Sequence, residues 1–421
     1  MLERAYRQRL EADLARWEAD GVIPPAVVGS IRTALPPLAP GINIPVVVAI
    51  VGGLLIAAAF LAFVAAHWTE IERPLRFAIL AIGIVIAHGL AGWFARAERT
   101  VLADLCASVG AIIFGAGIAL VGQMYHLGED FAGGMLIWAV GALTASVLTG
   151  SRGAFAVALV AASIWSVMRV SEAHDLPHLP FVAFWLIAAG LATAWNSRAA
   201  AHLVAVAAIP WWITAAFELI PNSFEPTFVL GDGAALLLGG GLALAAAPWS
   251  GVRSVGAALS TYGAFALVAV ATLEVVVSGV FYYRAGAEGQ PLWANACGVA
   301  GAIAAFATGA TTRRAGPAFA GAAIALVLVA AAIPRPPEVR EPWLAYAAEL
   351  AAMLCLVVSG MLDSVRPRII AGWIGIAGVI AGITWAVRGS LLRRSAFLAA
   401  AGVVAVALAF ALNRLLPRTD E

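Results

Sequence analysis

From Ile44 to the C-terminus, long apolar runs alternate with short polar breaks. Within each run the apolar residues are continuous rather than alternating, the pattern of helices and not of half-buried strands. About fourteen runs are long enough to cross a bilayer by the usual length criterion. They lie near 44–66, 75–95, 103–123, 132–148, 154–168, 179–195, 200–219, 229–247, 255–281, 292–310, 317–333, 342–362, 369–387 and 396–412, with 154–168 the shortest. In lipid every backbone polar group needs an internal partner, so the expected fold is all-α, a polytopic transmembrane helix bundle.

The first forty residues have a different pattern. Leu2, Tyr6, Leu10, Leu14 and Trp17 form one apolar stripe of an amphipathic helix. Asp20-Gly21 stops it, Pro24 opens a second helix with Val27, Val28, Ile31 and Leu35 on its apolar face, and Pro36, Pro37 and Pro40 stiffen the connector. Such a helical hairpin either rests on the membrane or bundle, or docks a protein partner. It lacks the uninterrupted apolar stretch of a signal peptide. Three segments result: residues 1–40 as hairpin and connector, 41–150 as a four-helix membrane module, and 151–421 as further transmembrane helices.

Composition narrows the chemistry. Hydrophobic residues make up 62% of the 421 and charged residues 12%, and mean hydropathy is +0.94. A soluble domain is less apolar and about twice as charged. All 25 basic residues are arginine. That excludes a phosphate-binding P-loop lysine, a Schiff-base lysine and a kinase lysine. No GxSxG elbow or HExxH pair occurs. Cys106, Cys297 and Cys355 each sit inside an apolar run, where cysteine acts as a small hydrophobe, so no disulfide, metal or other cofactor is expected. The partner is the lipid bilayer, with no nucleic acid.

With the N-terminus placed in the cytoplasm and the runs alternating, 16 of the 25 arginines fall on the inner side, as the positive-inside rule favours. The Arg388, Arg393 and Arg394 cluster runs against that trend. The same arrangement puts 14 of the 24 acids on the outer side, giving an outer face that attracts cations. Trp68, Trp93, Trp195, Trp249, Trp293 and Trp343 stand at run ends, as in an interfacial belt.

Two polar breaks concentrate the candidate chemistry. One, AFVAAHWTEIERPLRF, carries His67 and Glu70; the other, GQMYHLGEDFAGG, carries Gln123, Tyr125, His126, Glu129 and Asp130. Both emerge on the proposed outer side and could meet. Imidazole with carboxylate suits a metal or a proton relay. The same groups equally serve as helix caps and interfacial anchors. Two further carboxylates, Glu274 and Glu349, lie inside apolar runs, where an acid is a functional candidate because its burial is costly. His88 is expected to make a helix-to-helix hydrogen bond. Small-residue rows, Ala103-Ala107-Ala111-Gly115-Ala119 and Gly372-Gly375-Gly378-Gly382, predict close helix approach. Gly231-Asp232-Gly233 and Gly239-Gly240-Gly241 suggest an interrupted helix.

FVAAHWTEIERPLRFAIL, His88-Gly89 and GAGIALVGQMYHLGEDFAGGMLIWAVGAL, with Trp17, Asp20-Gly21 and Ile23 before them, resemble the bacterial membrane-protein family named domain of unknown function 2157. The resemblance covers roughly the first 150 residues. It implies a multi-pass protein of the bacterial cytoplasmic membrane, with both termini inside on the arginine pattern, and assigns no reaction or substrate. Three functions stay open: transport or binding of a small solute or cation through an outward acidic vestibule, a membrane enzyme acting on a lipid-linked substrate at the outer face, or a noncatalytic assembly factor.

Overall fold

The computed structural model describes residues 2–34, 51–53, 55, 59, 62, 71–125, 130–173, 178–218, 226–280, 292–333 and 343–386. Fourteen α-helices run through them, and there is no strand among the described residues. The chain divides into two units, Met1–Ala65 and Ala66–Glu421.

In the first unit, α1 (Leu2–Ala19) and α2 (Pro25–Ala34) are joined by a tight turn. Gly21 takes φ +69°, the left-handed conformation that ends a helix, and the Val22 amide donates back to the Trp17 carbonyl. Leu14 and Val28, one from each predicted stripe, are buried. Arg32 Nε donates to Glu11 Oε2 at 3.0 Å, tying the two helices together.

The second unit holds α3 (Arg73–Arg96), α4 (Thr100–Tyr125), α5 (Phe131–Thr149), α6 (Arg152–Ala173), α7 (Leu179–Ala194), α8 (Arg198–Glu218), α9 (Pro226–Ala245), α10 (Ser250–Val280), α11 (Leu292–Thr312), α12 (Ala315–Ala332), α13 (Trp343–Leu362) and α14 (Arg366–Ala386). Ten of these helices are long and apolar enough to cross a membrane; α7 and the Val229–Ala245 part of α9 are apolar but shorter. The run at 154–168, the shortest by sequence, belongs to the 22-residue α6. The runs at 44–66 and 396–412 fall wholly or mostly outside the described residues.

One end of the bundle is made of tight turns. Glu98, Asn196, Arg313 and Ser364 all have positive φ, between 46° and 58°. After each, the next amide donates to a carbonyl five residues back: Arg99 to Phe94, Ser197 to Ala192, Arg314 to Gly309 and Val365 to Gly360. This is the Schellman closure of a helix end. Gly150, φ +69°, closes α5 at the same end. Asp104 of α4 then reaches the start of α6: Ser151 Oγ donates to Asp104 Oδ1 at 2.6 Å and the Gly153 amide at 3.1 Å. The carboxylate thereby satisfies an orphan amide at a helix N-terminus and fixes the Ser151 hydroxyl beside it.

Packing follows the small residues. The Trp138 indole of α5 lies on Gly115 of α4 and donates to the Ala111 carbonyl at 2.9 Å, so the row on α4 seats an aromatic. His88 of α3 lies against Gly110, but its Nδ1 pairs with the Ile84 carbonyl of its own helix at 3.0 Å. The expected helix-to-helix bond is thus an intrahelical one, because the glycine opposite offers the ring a surface and no side chain. One core involves α4–α8 and the first half of α10; a second fills the space among α9–α14. The 31-residue α10 contributes Val255, Ala258 and Leu259 to the first and Leu267, Ala271 and Val275 to the second.

Candidate functional site

Two places bring predicted polar residues into view. The first is the end of α4–α6 opposite the tight turns. Asp130 caps α5: its Oδ1 accepts the Gly133 amide at 2.8 Å. Arg169 of α6 holds the same carboxylate at 2.8 Å and Glu172 at 2.9 Å. The Gly133 amide and then the Arg169 guanidinium hold the Asp130 carboxyl below its usual range. Asp130 therefore has a structural role in these contacts. Nearby, His178 Nδ1 meets Ser166 Oγ at 3.2 Å and its ring stands edge-on to Trp165. Partial burial, reinforced by Arg169, depresses its pKa, so His178 stays neutral at ordinary pH.

Gln123 ends exposed on α4. It and Asp130 stand on the rim of an apolar cavity of about 740 Å³ among α3, α4 and α5, with Phe77, Phe114 and Met135 in its walls. His67, Glu70, His126 and Glu129, and the side chain of Tyr125, lie outside the described residues, as does the proposed meeting of the two breaks. Among the described residues, no group of three or more His, Cys, Asp or Glu side chains is placed to hold a metal ion.

The second place is inside the α9–α14 core. The glycine row of α14 is a floor on which two helices converge. Gly372 and Gly375 receive Val357 and Met353 of α13, while Gly375, Gly378 and Gly382 receive Val268, Thr272 and Val275 of α10. α13 therefore runs antiparallel to α14, and α10 parallel to it. Met353 and Val268 meet at the level of Gly375. Toward the C-terminal end of α14, Glu349 follows about 6 Å beyond that level and Glu274 about 9 Å beyond it, at 1.5 Å per residue. Both are buried, at 1% and 0% exposure. The sequence singled out both acids; the glycine row that levels them with each other was legible only as a close-packing face.

Sequence reasoning passed over three features. Arg368 is buried with Asp363 at 2.7 Å and Ser359 at 2.8 Å, and Asp363 lies on Gly316 of α12. The indoles of Trp185, Trp211 and Trp212 donate to the carbonyls of Val204, His178 and Val229. Asp232 is buried in α9, which is a continuous helix through both glycine clusters. The interrupted helix expected there does not form; all of those glycines but Gly240 serve as contact surfaces for α8, α10, α11 and α12. An acid between two glycines in an apolar run was the available signal for Asp232.

Continuous apolar helices, buried small-residue seams and polar ends define an integral membrane protein built as a helix bundle. Residues 15–155 match the model of a family described as predicted membrane protein, domain of unknown function 2157, as the polar breaks and opening helices suggested. No curated protein and no solved structure matches the chain.

Proposed function

We propose that this membrane protein binds and carries a small cation at the carboxylates buried in α10 and α13. The observation that supports the reading is the placement of Glu274 and Glu349: two acids on different helices, both inside the apolar core and within about one helical turn of one level. Acids at membrane depth are costly, and they mark ion and proton pathways. The proposed orientation, with both termini in the cytoplasm of a bacterial inner membrane, puts this level in the outer half of the bilayer, beneath the acid-rich outer face. The whole chain then has fourteen spans.

Binding of a proton or sodium is tested with purified protein in detergent by following thermal unfolding while pH or sodium is varied in turn. A ligand held only by the folded state at a hundred times its Kd stabilises by about 2.7 kcal/mol. One of these ions should raise the melting temperature of the wild type and leave Glu274→Gln/Glu349→Gln unmoved. Equal responses of the two proteins would sink the proposal.

The cavity among α3–α5 supports a second reading, a hydrocarbon chain held from the bilayer with its polar end at Gln123. Its volume is within the range of small-molecule sites and its walls are apolar. Phospholipid retained by the wild type in native mass spectra and lost on Gly117→Trp would favour it. In either case the N-terminal helices remain a candidate docking element for a protein partner.

A further inference from the structure

We propose that Asp232 is a proton-binding site in the α9–α11 interface, its carboxyl neutral within the apolar layer. The residue lies in the second turn of α9 and is 3% exposed. Its carboxyl rests on Gly298 of α11, where a methyl group would collide with Oδ1. Below it the two helices touch backbone to backbone, Gly301 against the Ala235 carbonyl and Gly239 against the Gly301 carbonyl. That close seam leaves no room for a counter-ion side chain to enter from either helix.

The flanking glycines close the other approaches. Gly231 packs on Val270 of α10 and Leu328 of α12, and Gly233 packs on the Trp212 indole of α8. That indole N–H is donated to the Val229 carbonyl. Asp232 has no hydrogen bond or ion pair among the described residues.

The titratable groups around it offer no positive charge. α11 brings Cys297, next to Gly298, whose thiol carries no positive charge. α10 brings Glu274, one turn beyond Val270. α12 has no ionisable side chain, and Arg198 and His202 of α8 lie ten or more residues before Trp212. An isolated carboxylate in such a place takes up a proton rather than bear its charge. The balance is simple: one O–H bond forms on a carboxyl oxygen, and no other bond changes. This inference does not depend on the reading of Glu274 and Glu349.

Infrared difference spectroscopy on protein in lipid tests it. At neutral pH, wild type minus Asp232→Asn should show the carbonyl stretch of a protonated carboxyl in apolar surroundings. That band should shift in heavy water and persist when both proteins also carry Glu274→Gln and Glu349→Gln. A difference spectrum with a carboxylate band instead would overturn the assignment. The amide has nearly the shape of the neutral acid, so Asp232→Asn should fold and melt close to the wild type. A variant that cannot be recovered folded would equally contradict the neutral state. Wild-type protein gives an independent answer: dicyclohexylcarbodiimide should modify the peptide holding Asp232, and recovery of that peptide wholly unmodified would count against the proton.

Discussion

Arg368 shows what a charge needs inside this protein. Its guanidinium and the Asp363 carboxylate are almost fully enclosed at 5% and 10% exposure, and Ser359 takes up a further donor. Removing one partner of a buried pair leaves the other uncompensated, at a cost of about 3–5 kcal/mol. Arg368→Ala should therefore lower thermal stability in detergent strongly, and Arg368→Met with Asp363→Leu should lose less than Arg368→Ala alone. Asp130 is the contrasting case, since it is exposed and held by Gly133 and Arg169. Its carboxyl pKa is lowered on folding, so its contribution is present above the unfolded value and fades as pH falls through the folded one. A melting profile below the ordinary carboxylate range should be shallower in Asp130→Asn. The acid residues of the core were legible as anomalies in apolar runs. The Arg368–Asp363 pair was not, because Asp363 lies in a turn and Arg368 in the first turn of the next helix, a stretch that reads as a solvated connection until Asp363 is packed on Gly316 of α12.

Among the elements, glycine position decides more than hydrophobicity. Gly301 of α11 faces the Ala235 carbonyl of α9, so any side chain there must push two backbones apart. Gly301→Val should destabilise by about 1–3 kcal/mol, the usual penalty of overpacking. Gly240→Ala, where a methyl meets nothing within 4 Å, should change little. The turns allow an opposite prediction. Ser364 holds φ 58°, a region that costs a side chain about 1 kcal/mol and glycine almost nothing. Ser364→Gly should raise the melting temperature, and Ser364→Ala should not. Run length and continuity were enough to place every helix from α3 to α14. Whether a glycine cluster breaks a helix or seats a neighbour depends on what lies opposite, and for α9 four helices answer that question.

At the scale of the molecule, short turns gather at one end of the bundle, and nine of the twelve described arginines of the second unit lie beside them. Arg96, Arg99, Arg152, Arg198, Arg253, Arg313, Arg314, Arg366 and Arg368 all flank these connections. In the proposed orientation that end is cytoplasmic, the side the positive-inside rule favours. In a cysteine-free background, an impermeant thiol reagent should label intact cells with Glu172→Cys and spare those with Asn196→Cys; the reverse pattern would invert the topology. The most direct measurement of the central claim is ion flux. Purified protein is sealed into liposomes holding a pH dye or a sodium dye, and a potassium diffusion potential is imposed. The account predicts uptake of protons or sodium well above protein-free vesicles and its loss in folded Glu274→Gln/Glu349→Gln. Uptake of both ions no faster than in protein-free vesicles, or uptake unchanged in that variant, would contradict it.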